Sequence, residues 1–179
     1  MKKRLALSAL MLSLALPSAT ALAGGMEGMP MGPVSTAQVS NDSDVLFMEV
    51  MTMSNLTEIT TSQLALKKSS NAEVRAFAQT MINHHTKAQA ELEALAAKKG
   101  VRLADKPGAD QRLQYNKLST LSGAAFDTMY KKVQVQGHTM TLDLIKTYRT
   151  IGKDAQALAY AAKSEPVVAM HLEMAKKLP

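Results

Sequence analysis

Four long stretches of this chain place apolar residues at steps of three and four positions. This spacing is typical of one face of an α-helix. Residues that favour helix N-termini precede three of the stretches, namely Asn41 or Asp42, Ser70-Asn71, and Asp154. Gly100 follows the second stretch, where a glycine commonly ends a helix, and the third runs from about Gly123 to Tyr148. The pattern predicts an all-α protein.

The connections between the four helices predict how they are arranged. The first and third connections are only a few residues long, which favours antiparallel hairpins. The middle connection, residues 100–122, is long enough to run along a whole helix, and its leucines suggest a short helix within it. We therefore expect the second and third long helices to be parallel and joined by a crossover. This is the connectivity of a ferritin-like four-helix bundle.

The first 23 residues have the pattern of a secretory signal peptide. Basic residues at 2–4 precede an apolar run at 5–16 that is too short to span a bilayer. Residues 21–23 form an A-x-A cleavage motif, so we expect cleavage after Ala23 and export to the periplasm. No later segment is apolar enough to cross a membrane, so the mature chain is expected to have no transmembrane segment.

Residues 24–41 predict a flexible leader that precedes the bundle at 42–179. They hold four glycines and two prolines without periodicity. Met26, Met29 and Met31 lie in this leader, and thioethers are soft ligands that suit Cu(I). The leader is therefore either a copper-binding segment or a linker whose methionines have no metal role.

Charge and cysteine content exclude several classes of function. Removal of the signal peptide lowers the net charge from +6 to +3, and the remaining basic residues are scattered. No nucleic-acid partner is expected from such a distribution. The chain has no cysteine, which excludes disulfides, thiolate metal sites and a lipid-modified cysteine.

Polar residues with metal-binding potential fall on the apolar faces of all four predicted helices. These residues are Glu58 in the first helix, His85 in the second, His138 in the third and His171 in the fourth. An unpaired polar group in a bundle core costs about 1–3 kcal/mol. These groups therefore either form hydrogen bonds with one another or bind a ligand. His84 is expected at the exposed edge of its helix face.

Two interpretations of the four core residues remain open. Three imidazoles and a carboxylate could hold one transition-metal ion, because imidazole suits zinc, copper, iron and nickel. The alternative is a metal-free hydrogen-bond network in which Glu58 accepts from His85, assisted by Asn55 and Gln134.

The motifs of the better-known enzyme classes are absent from the sequence. A di-iron carboxylate bundle needs Glu-x-x-His motifs, but Met81, Ile82 and Val168 stand three residues before His84, His85 and His171. The chain also lacks a Gly-x-Ser-x-Gly motif and a phosphate-binding glycine loop. The sequence therefore indicates a non-enzymatic protein.

Five segments of the chain form a recognisable series: N-L-T-E-I (55–59), V-R-A-F-A-Q-T-M-I-N-H-H-T (74–86), F-D-T-M-Y (126–130), G-H (137–138) and E-P-V-V-A-M-H-L (165–172). In this order they resemble an exported bacterial family of unknown function, DUF4142. The resemblance covers roughly residues 42–178 and implies a ferritin-like fold, but no established reaction. The family pattern has Asp-His-Thr in the second helix, whereas this chain has a histidine in place of the aspartate.

Together these features predict a periplasmic, non-enzymatic helical bundle. We expect one ion, with copper or zinc as the first candidates, held by Glu58, His85, His138 and His171. The alternative is a metal-free envelope or stress-related protein that acts through its helical surface. The sequence does not indicate a protein partner.

Overall fold

A computed structural model describes residues 34–179, in which all regular structure is helical. The α-helices are α1 (Ser43–Lys68), α2 (Ala72–Lys98), α3 (Ala109–Ser119), α4 (Gly123–Ile151) and α5 (Ala155–Lys176). This confirms the predicted fold class, including a short helix, α3, in the long connection. The predicted signal peptide, its cleavage after Ala23 and the three leader methionines lie outside the described residues.

Side-chain caps fix where three of the long helices begin. Asp42 accepts hydrogen bonds from two backbone N–H groups of the first turn of α1, and Asn71 and Asp154 do the same for α2 and α5. These bonds satisfy donors that have no partner within the helix. After α2, Gly100 has a φ of +66°, a left-handed conformation that glycine adopts without steric cost. The expected caps are thus confirmed.

The helix directions follow from contacts at the two ends of the bundle. α1 packs against α2 and α4, and α5 packs against α4 and α2. The Tyr148 hydroxyl donates to Asp44 Oδ1 over 2.6 Å, and the hydroxyls of Ser62 and Tyr130 are 2.7 Å apart. α1 and α4 are therefore antiparallel. Because the short connection also makes α1 and α2 antiparallel, α2 and α4 are parallel, as predicted from the long crossover.

Two apolar clusters fill the ends of the bundle and leave a buried polar layer between them. One cluster includes Phe47, which stacks on Tyr148 with ring centroids 3.8 Å apart. The other includes Phe77, Phe126 and Tyr130 near the opposite end. Between the clusters lie six buried polar side chains: Asn55, Glu58, His85, Gln134, His138 and His171. The unusual polar residues of the sequence pattern thus share one level of the bundle.

The segment before α1 contacts the connection that follows α2. Thr36–Gln38, near the end of the predicted leader, form a 3-10 helix, and the Thr36 N–H donates to the Arg102 carbonyl over 2.9 Å. Within residues 34–179, each helix is either too short or too polar to span a bilayer.

Candidate metal centre

Three of the four predicted site residues meet in the polar layer. The ring centroids are 5.7 Å apart for His85 and His138, 5.3 Å for His85 and His171, and 5.4 Å for His138 and His171. One ring nitrogen from each histidine lies within 4.8 Å of the nitrogens of the other two. The side chains are only 1–5% exposed. Three different helices therefore deliver imidazoles to one buried point.

The outer nitrogen of each ring is held by a neighbouring group. His85 Nδ1 lies 2.9 Å from Asn55 Oδ1, and His138 Nδ1 lies 2.8 Å from the Gln134 carbonyl oxygen. Because both partners are acceptors, these two Nδ1 atoms carry the proton and donate it. The Nε2 atoms of both rings are then left with lone pairs.

Asn55 is itself held in place, which fixes the orientation of His85. Its Nδ2 donates to Gln89 Oε1 over 3.2 Å and lies 3.4 Å from the Tyr160 hydroxyl. This arrangement points Oδ1 at His85. The predicted hydrogen bond from His85 to Glu58 is absent among these contacts, and Asn55 takes that position instead.

His171 is oriented by His84, whose role the sequence did not indicate. His84 is exposed as expected, but its Nδ1 lies 2.8 Å from His171 Nε2, and the two rings stack. A proton on His171 Nδ1 would be a buried donor without a partner. The favoured tautomer therefore has His171 Nε2–H donating to His84, which leaves a lone pair on His171 Nδ1.

The three inner nitrogens have no hydrogen-bond partner in the described structure. They are His85 Nε2, His138 Nε2 and His171 Nδ1. Three lone pairs that converge with no hydrogen-bond donor nearby can coordinate a cation. Metal-bound histidines commonly donate their other N–H to a neighbouring acceptor, as these three rings do. For metal–nitrogen bonds of about 2.0–2.1 Å, tetrahedral geometry needs nitrogens about 3.4 Å apart.

Burial keeps two of the rings in the form that binds metals. Burial lowers the pKa of His85 well below its usual value, and His138, His171 and His84 lower it further. Burial likewise lowers the pKa of His171 to about 3, with further contributions from His138 and His84. Both rings are therefore neutral at neutral pH, and a neutral imidazole is the ligating form.

Glu58, the fourth predicted ligand, lies behind His138 and outside the histidine cluster. Its Oε1 is 3.7 Å from His138 Nδ1, the nitrogen that already donates to the Gln134 carbonyl. A Cβ at Gly137 would lie 3.1 Å from this oxygen, so the glycine makes room for the carboxylate. Glu58 thus has the position of an outer partner of His138, and direct ligation by it remains a sequence-based prediction.

A cleft between α2 and α5 connects the centre with the surface. Its volume is about 230 Å³, and both His85 and His171 line it. Met51 and Met170 also line the cleft, and Met170 is 46% exposed. Two thioethers therefore share this cleft with two of the three histidines.

A family model described as a domain of unknown function (DUF4142) matches residues 29–178. The match takes in all of the polar layer and every residue of the centre described above. No curated protein matches the chain.

Solved structures with low sequence identity share the fold. A DUF305 protein of Streptomyces coelicolor, described as secreted, has a TM-score of 0.65 at 14% identity, covering 75% of this chain and 88% of its own. CopM in its Cu(I)-bound form has a TM-score of 0.63 at 16% identity, covering 75% and 93%. The Cu(II)-bound form of CopM gives 0.63 at 17% identity with the same coverage. At these identities the similarity shows a common helical architecture.

Proposed function

The chain belongs to the DUF4142 family, whose description assigns no activity, and we propose from the site itself that it is an exported, non-enzymatic protein that holds one transition-metal ion. The ligands are His85 Nε2, His138 Nε2 and His171 Nδ1. The observation that carries the proposal is that these three buried nitrogens converge and have no partner, while the other nitrogen of each ring is held. Within the described residues, no protein group satisfies these three lone pairs.

Copper is the first candidate for the ion, and zinc is the second. Imidazole binds both metals, whereas thioethers favour Cu(I). Met51 and Met170 line the cleft that reaches His85 and His171, which supports copper. The similarity of the fold to CopM, solved with Cu(I) and with Cu(II), supports the same choice.

Glu58 serves in this proposal as an outer partner of His138 and not as a fourth ligand. A carboxylate beside the outer nitrogen of a metal-bound histidine raises the basicity of the ring and holds its orientation. The 3.7 Å separation from His138 Nδ1 places Glu58 where a small shift on metal binding would bring it within hydrogen-bond distance.

The proposed location is the periplasm. The basic, apolar and A-x-A segments of residues 1–23 support export, as does the similarity in fold to a protein described as secreted. An exported protein meets copper and zinc outside the cytoplasm, where a histidine site does not compete with cytosolic thiols.

Metal titration of the purified chain tests this function. After treatment with a chelator, the protein is titrated with Cu(II), Zn(II) and, without oxygen, Cu(I) in competition with a chromophoric ligand. We expect one ion per chain, with copper bound more tightly than zinc. A variant with Met26, Met29 and Met31 changed to leucine is the control for the leader and is expected to keep that ion. Absence of saturable binding would favour the metal-free surface role, and loss of binding in this control would assign the metal to the leader instead of the histidine centre.

A further inference from the structure

A second cavity lies on another side of the bundle, between α1, α3 and α4. Its volume is about 450 Å³. Its wall is mostly apolar, but it includes hydroxyl and amide groups of Ser54, Thr57, Gln114, Gln136 and Thr141. These groups can accept hydrogen bonds from a ligand with N–H donors. The cavity does not include any of the three histidines of the metal centre.

The charge of this cavity is opposite to that of the chain. Its lining includes Glu58, Asp110 and Asp143 but no lysine or arginine, although the chain carries a net charge of +6. Among residues 34–179, none of these carboxylates forms a salt bridge with a lysine or arginine. The cavity therefore holds acidic groups without a lysine or arginine within salt-bridge distance, and His138 is the basic residue beside Glu58.

Glu58 is the most deeply buried of the lining residues with a charge. It is 3% exposed, and its Oε2 has no hydrogen-bond partner within the described residues. Gly137 leaves the space that Glu58 occupies against α4, at the usual cost of a glycine within a helix. A buried carboxylate with one oxygen that lacks a partner is suited to a cationic ligand.

The spacing of the carboxylates argues against a single metal ion. Within the described part of the chain, the histidine cluster is the one group whose ligand atoms lie close enough together to hold an ion. Glu58, Asp110 and Asp143 come from three different helices and do not form such a group. A longer ligand with separated positive charges can reach both the buried carboxylate and those on α3 and α4.

We propose that this cavity binds an aliphatic organic cation with two or more ammonium groups. One ammonium group pairs with Glu58, and the other with Asp110 or Asp143. The oxygens of the wall accept the remaining N–H bonds. This cavity is a different site from the metal centre, because no histidine of that centre lines it, and Glu58 lies between the two.

Calorimetric titration of the metal-free full chain tests the proposal. The ligands are 1,4-diaminobutane, n-butylamine with a single ammonium group, and Mg²⁺. We expect saturable binding of the diamine, at least about tenfold tighter than binding of n-butylamine or Mg²⁺, and weaker at high salt. Glu58→Gln is expected to weaken diamine binding at least about tenfold. Asp143→Asn, at an exposed position, is expected to keep the fold and to weaken diamine binding severalfold.

Glu73→Gln is the matched control, since it removes the same charge from an exposed position at the start of α2. It is expected to leave diamine binding unchanged. The proposal is overturned if the diamine does not saturate, if Mg²⁺ binds more tightly, or if Glu73→Gln weakens binding as much as Asp143→Asn does. Because no transition metal is present, these outcomes are separate from the test of the histidine centre.

Discussion

Replacing His85 with alanine is expected to weaken copper binding by more than about 100-fold. Loss of an outer partner of a metal ligand typically costs 10–100-fold in affinity, and loss of a direct ligand costs more. His138→Ala and His171→Ala are expected to have effects of the same size, because each ring provides one of the three inner nitrogens. The measurement is competition titration of each variant with Cu(I) against a chromophoric ligand of known affinity.

Two further variants separate ligation from orientation. Asn55→Ala removes only the acceptor that holds His85, so we expect a loss of about 10–100-fold, smaller than that of His85→Ala. Met140→Ala, two residues after His138 but exposed, is expected to bind copper as the unmodified chain does. Circular dichroism shows whether each variant is folded. If His85→Ala binds copper normally and only lowers the free energy of unfolding, the histidines form a structural network instead.

Bound metal is expected to raise the melting temperature of the chain by about 5–15 °C. An ion that binds only the folded state stabilises it by about 2.7 kcal/mol at 100 times its dissociation constant and about 4.1 kcal/mol at 1,000 times. For a domain of this size, each kcal/mol corresponds to about 2–4 °C. The ion would join α2, α4 and α5 in the middle of the bundle, between the two apolar clusters.

Thermal unfolding with and without copper or zinc measures this effect. A chelator is expected to reverse it, and the variant with alanine at positions 85, 138 and 171 is expected to show no shift. Equal melting temperatures with and without metal in the unmodified chain would contradict a core site. An equal shift in the triple variant would assign the stabilisation to metal bound elsewhere.

The sequence predicted the helix faces and the level of the site because both follow from helical periodicity. Asn55, Glu58 and Ser62 interrupt the apolar face of α1. The structure places Asn55 and Glu58 in the polar layer, and it buries Ser62 beside Tyr130 of one apolar cluster. His85, His138 and His171 share that level because the helix hairpins and the crossover fix which ends of the helices meet. Only the positions of the residues along each helix were needed for these predictions.

The contacts around each ring could not be predicted in the same way. Periodicity gives the direction of a Cα–Cβ bond but not the torsion of the side chain, so it did not show that Glu58 faces the outer nitrogen of His138. Adjacent helix residues point about 100° apart, which placed His84 at the edge of the face. Its contact with His171 depends on α5 packing beside α2, a tertiary feature.

Anomalous diffraction from crystals grown with copper locates the bound ion itself. We expect one strong peak per chain at the copper edge, about 2.0–2.1 Å from His85 Nε2, His138 Nε2 and His171 Nδ1. Crystals of the triple alanine variant are expected to show no peak. A peak at another position, or no peak in crystals whose three inner nitrogens remain unpartnered, would contradict a copper site at the histidines.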